Sequence, residues 1–423
     1  RILIKIKMKK TIFTLSAIVA LAFTGCMNDE APPILQDTDN QVNSGDNTVS
    51  VSGMISESTT WTNNTIYVLN QKVVVSSGVV LTIQAGTIIK GTEGTGSLAS
   101  ALIVAKGGKL NATGTATEPI IFTSINDNIT VGQTSGTNLD ETNSGLWGGL
   151  IVLGNAPCSF SGDVEVLQIE GIPADDTFGL YGGSDAADDS GVYQYISIRH
   201  GGALIGEGNE INGLTLGGVG SGTVIENIEV VGNVDDGIEF FGGTVNASNL
   251  LIWAQGDDAL DIDQAYSGTI NNAVVILGAN SDHAFEIDGP EGAATGSFTL
   301  NNVTIIGNSV TEDGEYADYR SGAMGSTENI YAYGFKETSD VELDNDGVAT
   351  NYNNGLLTFG AWEIVLPSGV SDVASIFVNK ASAVEVSGFG STATAVTEGV
   401  NTVGATTSLL SWTYANSKAG LGF

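Results

Sequence analysis

The sequence predicts an all-β chain wound as a parallel β-helix, a solenoid with a cap at each end. Three observations predict it. First, glycine is 57 of 423 residues with no G-X-Y period, and only 15% of residues are charged against 42% apolar. That balance excludes both collagen and a disordered chain, and reads as strands broken by tight turns. Second, short apolar runs follow one another from Trp61. They are Thr65–Leu69, Lys72–Val75, Val79–Ile83 and Thr87–Ile89, punctuated by Gly78, Gly86 and Gly91. Third, an imperfect repeat starts apolar runs at Asn227, Asn249, Asn272, Asn302 and Asn329, at spacings of 22, 23, 30 and 27. A variable period of that length in an all-β chain marks stacked coils with loops of unequal size. One coil cannot bury its own apolar face, whereas stacked coils share a core. The Asn column is expected to form a ladder of amide bonds at stacked turns.

The chain divides into three parts. Residues 1–26 hold seven upstream residues and a signal peptide: Lys9 and Lys10, an apolar run from Ile12 to Phe23, then Thr24-Gly25-Cys26. The run is too short to span a membrane, and no other segment approaches that length. Residues 27–48, with Pro32-Pro33 and no periodicity, are expected to be a flexible acidic linker, and residues 49–423 the β-helix with its C-terminal cap. Without residues 1–26 the chain keeps nine Lys and Arg against 48 Asp and Glu, a net charge of −39. Such a charge excludes a free nucleic-acid binder, repels anionic lipid and attracts divalent cations. Two Cys, one of them in the leader, exclude a disulfide scaffold.

Several stretches carry a family resemblance. Thr24-Gly25-Cys26 resembles a bacterial lipobox, which implies lipidation of Cys26 and anchoring in outer-membrane lipid. Asp29-Glu30 after it resembles the surface-export signal of Bacteroidota lipoproteins. Residues 61–330 resemble a widespread family of secreted bacterial right-handed parallel β-helix proteins. The segments that carry this are Gly78–Lys90, Gly114–Thr123, Leu146–Gly154, Tyr181–Gly183, Gly213–Thr223 and Asp235–Gly243, with Ser411–Ala415 like the usual C-terminus. The resemblance implies the fold and secretion and says little of activity; the chain is expected to be a monomer anchored at the cell surface.

The residues that could carry chemistry lie between Asp235 and Arg320. Three segments align: Asp235-Asp236-Gly237-Ile238-Glu239-Phe240, Asp257-Asp258-Ala259-Leu260-Asp261-Ile262-Asp263, and Asp282-His283-Ala284-Phe285-Glu286-Ile287-Asp288. In stacked coils they become columns, Asp235/Asp257/Asp282, Asp236/Asp258/His283 and Glu239/Asp261/Glu286, with Ile238, Leu260 and Phe285 inward and the acids outward. Carboxylates about 5 Å apart repel, so protons, cations or a cationic ligand must offset them.

Three readings follow. The first is a Ca²⁺ site on hard oxygen ligands, with Asp235, Asp257, Asp258, Asp261 and Asp263 foremost and Glu286 and Asp288 beside them. The second is inverting glycoside hydrolysis, because the order of Asp236, Asp257-Asp258, His283 and Arg320 resembles the polygalacturonase-like β-helix glycosidases. That resemblance implies one acid to protonate the leaving oxygen, one to activate water, and Arg320 on a substrate carboxylate. His283 lacks the flanking glycines of that pattern, and Arg320 is followed by Ser321-Gly322 rather than a spaced Lys. The third is a structural or adhesive surface whose acids are simply solvated, or a non-catalytic face that reads polysaccharide. A polysaccharide lyase fits less well, because the only basic pair, Arg199-His200, reads as a solvent-facing strand end meeting Glu207 or Glu210. Trp147, Trp253 and Trp362 read as packing residues rather than sugar platforms, and Cys158 as a buried lone thiol.

Overall fold

The computed structural model describes residues 47–173, 176–204, 210–311 and 314–423. The expected signal peptide, Cys26 and most of the expected linker lie outside these residues. Asn47 and Thr48 already belong to the first strand, Asn47–Ile55, so the β-helix begins slightly earlier than its expected boundary.

Among the described residues, twenty-five strands form one continuous parallel sheet, folded into three faces by the way the chain winds. Two faces come from long strands that bend once. Val224–Val231, Asn246–Trp253, Thr269–Ile276, Phe298–Ile306 and Gly325–Tyr333 each bend at the repeated Asn. Asn227, Asn249, Asn272, Asn302 and Asn329 all take left-handed backbone angles, φ +56° to +63°. Asn is among the few residues that tolerate this conformation, so the sharp corner between the two faces selects it. Tyr195 makes the same corner one coil earlier at φ +51°. The expected amide ladder is present but shifted in its upper part. Asn272 Nδ2 donates to Asn249 Oδ1 at 2.8 Å, while Asn302 and Asn329 donate to Asn271 and Asn301, the residues just before the corner.

Replacing Asn272 by Ala is expected to cost about 1–3 kcal/mol. It would place a Cβ-bearing residue at φ +63° and delete both the Asn249 bond and the bond that Asn272 Oδ1 accepts from Thr406 N at 2.6 Å. Urea denaturation checks this, and Asn272→Gly should recover the backbone share alone.

The third face is built of short strands. They include Ala101–Val104, Leu150–Leu153, Leu214–Gly217, Ile238–Phe241, Leu260–Asp263, His283–Ile287, Glu315–Tyr319, Val341–Leu343 and Phe377–Asn379. Register places one outward residue per coil in a single column: Val74, Ile103, Ile151, Thr215, Glu239, Asp261, Glu286, Asp318, Glu342. The column changes character along its length. Its first members are apolar because the chain from Phe160 to Tyr181 folds over them, burying Phe160, Ile169, Ile172 and Tyr181 against Ile103, Ile151 and Leu153. A Cβ on Gly217 would stand 3.0 Å from the Tyr181 ring, closer than side chains ordinarily pack, so the covering segment favours glycine there. Beyond Thr215 every member through Glu342 is an acid.

The C-terminal segment extends beyond the last coil. The coils continue to Ala393–Ala395, and the chain then runs back along the flank of the bent strands. Ala405 N bonds Thr304 Oγ1, Thr406 N bonds Asn272 Oδ1, and Ala415 N bonds Glu229 Oε1. Leu410, Tyr414 and Ala415 cover the outward apolar side chains Val231, Leu251, Trp253, Val274 and Ile276. An outward apolar strip needs a cover, and the tail supplies it as a lateral strap.

Candidate cation-binding face

The acids lie at two levels of the short-strand face. The outward column holds Glu239, Asp261, Glu286, Asp318 and Glu342. At the start of each strand a second column holds Asn212, Asp236, Asp258, His283 and Glu315. Its side chains bond the next coil's backbone. Asn212 Oδ1 accepts from Asp236 N at 3.3 Å, Asp236 Oδ1 from Asp258 N at 2.9 Å, and Asp258 Oδ1 from His283 N at 2.9 Å. These residues therefore cap successive coils as well as carrying charge.

The acids are not solvated as an open outer face would be. Asp236, Glu239, Asp258 and Asp261 are at most 8% exposed. Stacked neighbours close over them from both sides along the column, and Asn212 Nδ2 donates to Glu239 Oε2. Burial pushes the carboxyls of Asp236, Glu239 and Asp261 well above the usual range, and their mutual repulsion adds to it. Asp235 is pushed up to about 7 by burial, Glu170 and Asp257. Asp263 is also pushed up to about 7, by burial, Asp288 and Glu291, with Arg320 pulling the other way.

Basic residues divide the face in two. On the later coils three cations sit among the acids. His283 Nδ1 lies 2.8 Å from Asp258 Oδ1, 3.7 Å from Asp282 and 4.0 Å from Glu286. Burial lowers its pKa, but the bond and charge of Asp258, with Asp282 and Asp318, outweigh that and raise it to about 9. Arg320 Nε bonds Asp288 Oδ2 at 2.7 Å, and its Nη2 bonds Glu286 Oε1. Lys380 pairs with Glu342 and lies 3.7 Å from Asp340. Arg320 and His283 thus share the Glu286 carboxylate between them.

On the earlier coils no base is paired with the acids among the described residues. Carboxylate oxygens of Asp236, Glu239 and Asp261 all lie within 4.8 Å of one another, as do those of Asp235, Asp236 and Asp257. Asp261 Oδ1 is buried with no N–H or hydroxyl donor, and Asp261 bonds the Glu239 carboxyl only while one of the two holds a proton.

The residues singled out in the sequence therefore separate. Asp235, Asp257 and Asp261 fall on the base-free part with Asp236, and Asp263 lies beside Asp288 and Glu291 at a second, acid-lined cavity of about 580 Å³. Asp258, Glu286 and Asp288 are already partnered by His283 or Arg320. Three other expectations are settled by packing. Arg199 and His200 are not a solvent-facing strand end: they are 2% and 1% exposed, and Arg199 faces Glu229 rather than Glu210, while Glu207 lies outside the described residues. Trp147, Trp253 and Trp362 are buried. Cys158 is half-buried, and burial pushes its thiol up to about 12.

Sequence reasoning gave no ligand role to Glu239 and missed Asn212, Asp318, Glu342 and Lys380. A local signal exists for the acids. Ile238-Glu239-Phe240, Leu260-Asp261-Ile262, Phe285-Glu286-Ile287, Ala317-Asp318-Tyr319 and Val341-Glu342-Leu343 are five apolar-acid-apolar triplets, one per coil.

Parallel coils stacked into one continuous sheet define a parallel β-helix. The chain belongs to the family of pectate-lyase-like β-helix domains, which residues 53–416 match. No curated protein matches the sequence. Among solved structures, the chain is similar to the full-length tailspike protein 2 of Escherichia coli O157:H7 bacteriophage CAB120, with 10% identity and a TM-score of 0.23. That match covers 74% of this chain and 34% of the tailspike, so the chain spans about a third of the tailspike's length. Among the described residues no helix is long and apolar enough to cross a membrane.

Proposed function

We propose that this protein is a lipid-anchored surface β-helix whose base-free acidic coils bind Ca²⁺ and present it to polysaccharide, without catalysing a reaction. One observation carries the reading. Asp236, Glu239 and Asp261 gather three buried carboxylates with oxygens inside 4.8 Å, and Asp261 Oδ1 has no N–H or hydroxyl donor. The donor set fits calcium: it is all carboxylate oxygen, with Asp235 and Asp257 adjoining through Asp236. The His283 group fits poorly, because a ring nitrogen held as imidazolium by Asp258 repels a cation. Bound calcium would offset the repulsion that otherwise raises these carboxyls. Anchoring through Cys26 at the outer membrane would keep the face in a calcium-supplied medium.

Thermal melts of the full chain at pH 8 test this. Calcium at about a hundredfold excess over its Kd should add roughly 2.7 kcal/mol of stability, and EDTA should remove it. An unchanged melt with calcium would count against the reading.

Inverting hydrolysis through Asp236, Asp257 and Asp258 is the second reading. A raised carboxyl, as burial and neighbouring acids make of Asp236 and Asp257, is what a general acid near neutral pH requires. Against it, Asp236 and Asp258 each accept a backbone N–H from the next coil and are at most 6% exposed. Reducing ends released from acidic or neutral polysaccharide by the wild type, but not by Asp257→Asn, would favour it.

A further inference from the structure

The two ends of the solenoid differ. At the C-terminal end the last strands are three residues long, Leu357–Phe359, Phe377–Asn379 and Ala393–Ala395, and Phe359, Phe377 and Phe389 pack edge to face over the core. At the N-terminal end the first coil holds the strands Asn47–Ile55 and Thr59–Trp61. Among the described residues each pairs on one side only, with Thr65–Val75 and with Val80–Ile83. The outer edge of this coil therefore presents a row of unpaired backbone N–H and C=O groups. Trp61, stacked on Tyr67, closes part of the core end, while Val49 and Val51 stay half-buried over the rest.

Unpaired edges are commonly guarded by charge or proline. This one has neither. In a chain with 48 Asp and Glu, Glu57 is the sole charged residue between Asn47 and Gln71, and no proline falls there. Two copies of so acidic a chain repel over most of their surface, and this end is where that repulsion is least. The residues just upstream match the edge poorly. Positions 36–46 supply one apolar side chain, Val42, beside Asp37, Asp39 and Asp46, whereas a strand lying on this edge needs an apolar residue at every second position.

The first strand is complementary to itself. Val49 and Val51 face inward, in register with Tyr67 and Leu69 of the core. Thr48 and Ser50 face outward, in register with Ile66 and Val68. An antiparallel pair centred on Val49 sets Asn47 opposite the copy's Val51, and Thr48 opposite the copy's Ser50. Inward residues then meet inward residues, so the two cores join, and Thr and Ser pair on the outside. We infer that the protein forms a two-fold dimer through the open edge of its first coil, with Asn47–Val51 pairing antiparallel to itself. Such an interface is isologous and consumes the edge, so association stops at two. The pair stands in place of the expected monomer. No carboxylate of the acid face lies on this coil, so the dimer does not depend on calcium.

Sedimentation equilibrium of the full chain in EDTA tests this. It should give twice the chain mass at high concentration and dissociate on dilution. Thr48→Asp combined with Ser50→Asp sets like charges opposite each other at two exposed positions. The double variant should raise the dimer dissociation constant at least about tenfold and melt as the wild type does when both are monomeric. Val49→Cys gives a second readout, because its thiol meets the copy's across the two-fold axis. Under mild oxidation it should yield a disulfide-linked dimer well beyond any formed by wild type through Cys26 or Cys158. A monomer across roughly a hundredfold range of concentration would overturn the inference, whether solvent or upstream chain covers the edge. A dimer that the double substitution leaves unchanged and Val49→Cys does not link would overturn it too, as would growth into chains longer than two.

Discussion

Glu229→Gln should destabilise the protein by about 3–5 kcal/mol, the largest effect expected of a single conservative substitution here. Glu229 is fully buried and Arg199 is 2% exposed, with Arg199 Nη2 at 4.0 Å from Glu229 Oε2. Ser197 links them: its Oγ donates to Glu229 Oε2 at 2.5 Å and accepts from Arg199 Nε at 2.7 Å. Removing the carboxylate charge leaves a buried guanidinium with Ser197, the Thr134 carbonyl and the Tyr414 ring in contact and Asp127 as the remaining acid that attracts it. The other Glu229 oxygen accepts Ala415 N at 2.7 Å, so the one remaining oxygen of a Gln can keep either this strap bond or the bond from Ser197, not both. Urea denaturation should show the loss, and limited proteolysis should cut first near Ala415. Glu229→Gln combined with Arg199→Met should recover much of it, because the uncompensated charge is gone. A single variant within about 1 kcal/mol of wild type would contradict this account of the network.

Without calcium, stability should fall as pH rises from about 4 toward 8, by an amount on the order of a few kcal/mol. The sign follows from the raised carboxyls. Asp235 and Asp263 are carried to about 7, and Asp236, Glu239 and Asp261 well above their usual range. In the unfolded chain the same groups titrate near 4. Between those limits the folded state holds more protons than the unfolded state, so each unit of pH costs stability. The contribution is complete below about pH 4 and is lost as pH passes the folded values. His283 works in the same direction in a higher window. Its folded pKa of about 9 exceeds an unfolded value near 6.5, so its contribution is present below 6.5 and lost through about 9. Saturating calcium should flatten the carboxyl part of this curve, because bound cation replaces bound proton. The measurement is ΔG of unfolding against pH in EDTA and in calcium. Stability that rises from pH 5 to 8 in EDTA would contradict it.

Much of the fold is legible in the sequence because it rests on local rules. Asn at five successive corners reflects a backbone conformation few residues tolerate, and Asn recurs visibly. The triplets from Ile238-Glu239-Phe240 to Phe285-Glu286-Ile287 show alternation, and their columns form with the expected register. What is not legible depends on loops of unequal length. The steps from Glu286 to Asp318 and from Asp318 to Glu342 follow a long turn and a shorter one, so no fixed period reveals them. Burial of the acids is set by stacking and by Asn212, which lies 24 residues before Asp236 and carries no charge. Arg199 reads as a surface residue because its partner Glu229 is a coil away and its cover, Tyr414, is more than 200 residues away. The C-terminal strap is hidden for the same reason: its contacts reach back to Glu229 and to Leu139.

The most direct test is a calorimetric calcium titration of the full chain at pH 8, wild type beside Asp261→Asn. If Asp236, Glu239 and Asp261 hold a cation, the wild type binds calcium and the variant binds at least one ion fewer, or binds it at least about tenfold more weakly. If the wild type shows no binding, or the variant matches it in both stoichiometry and affinity, the buried carboxylates are kept neutral by protons and the calcium reading fails.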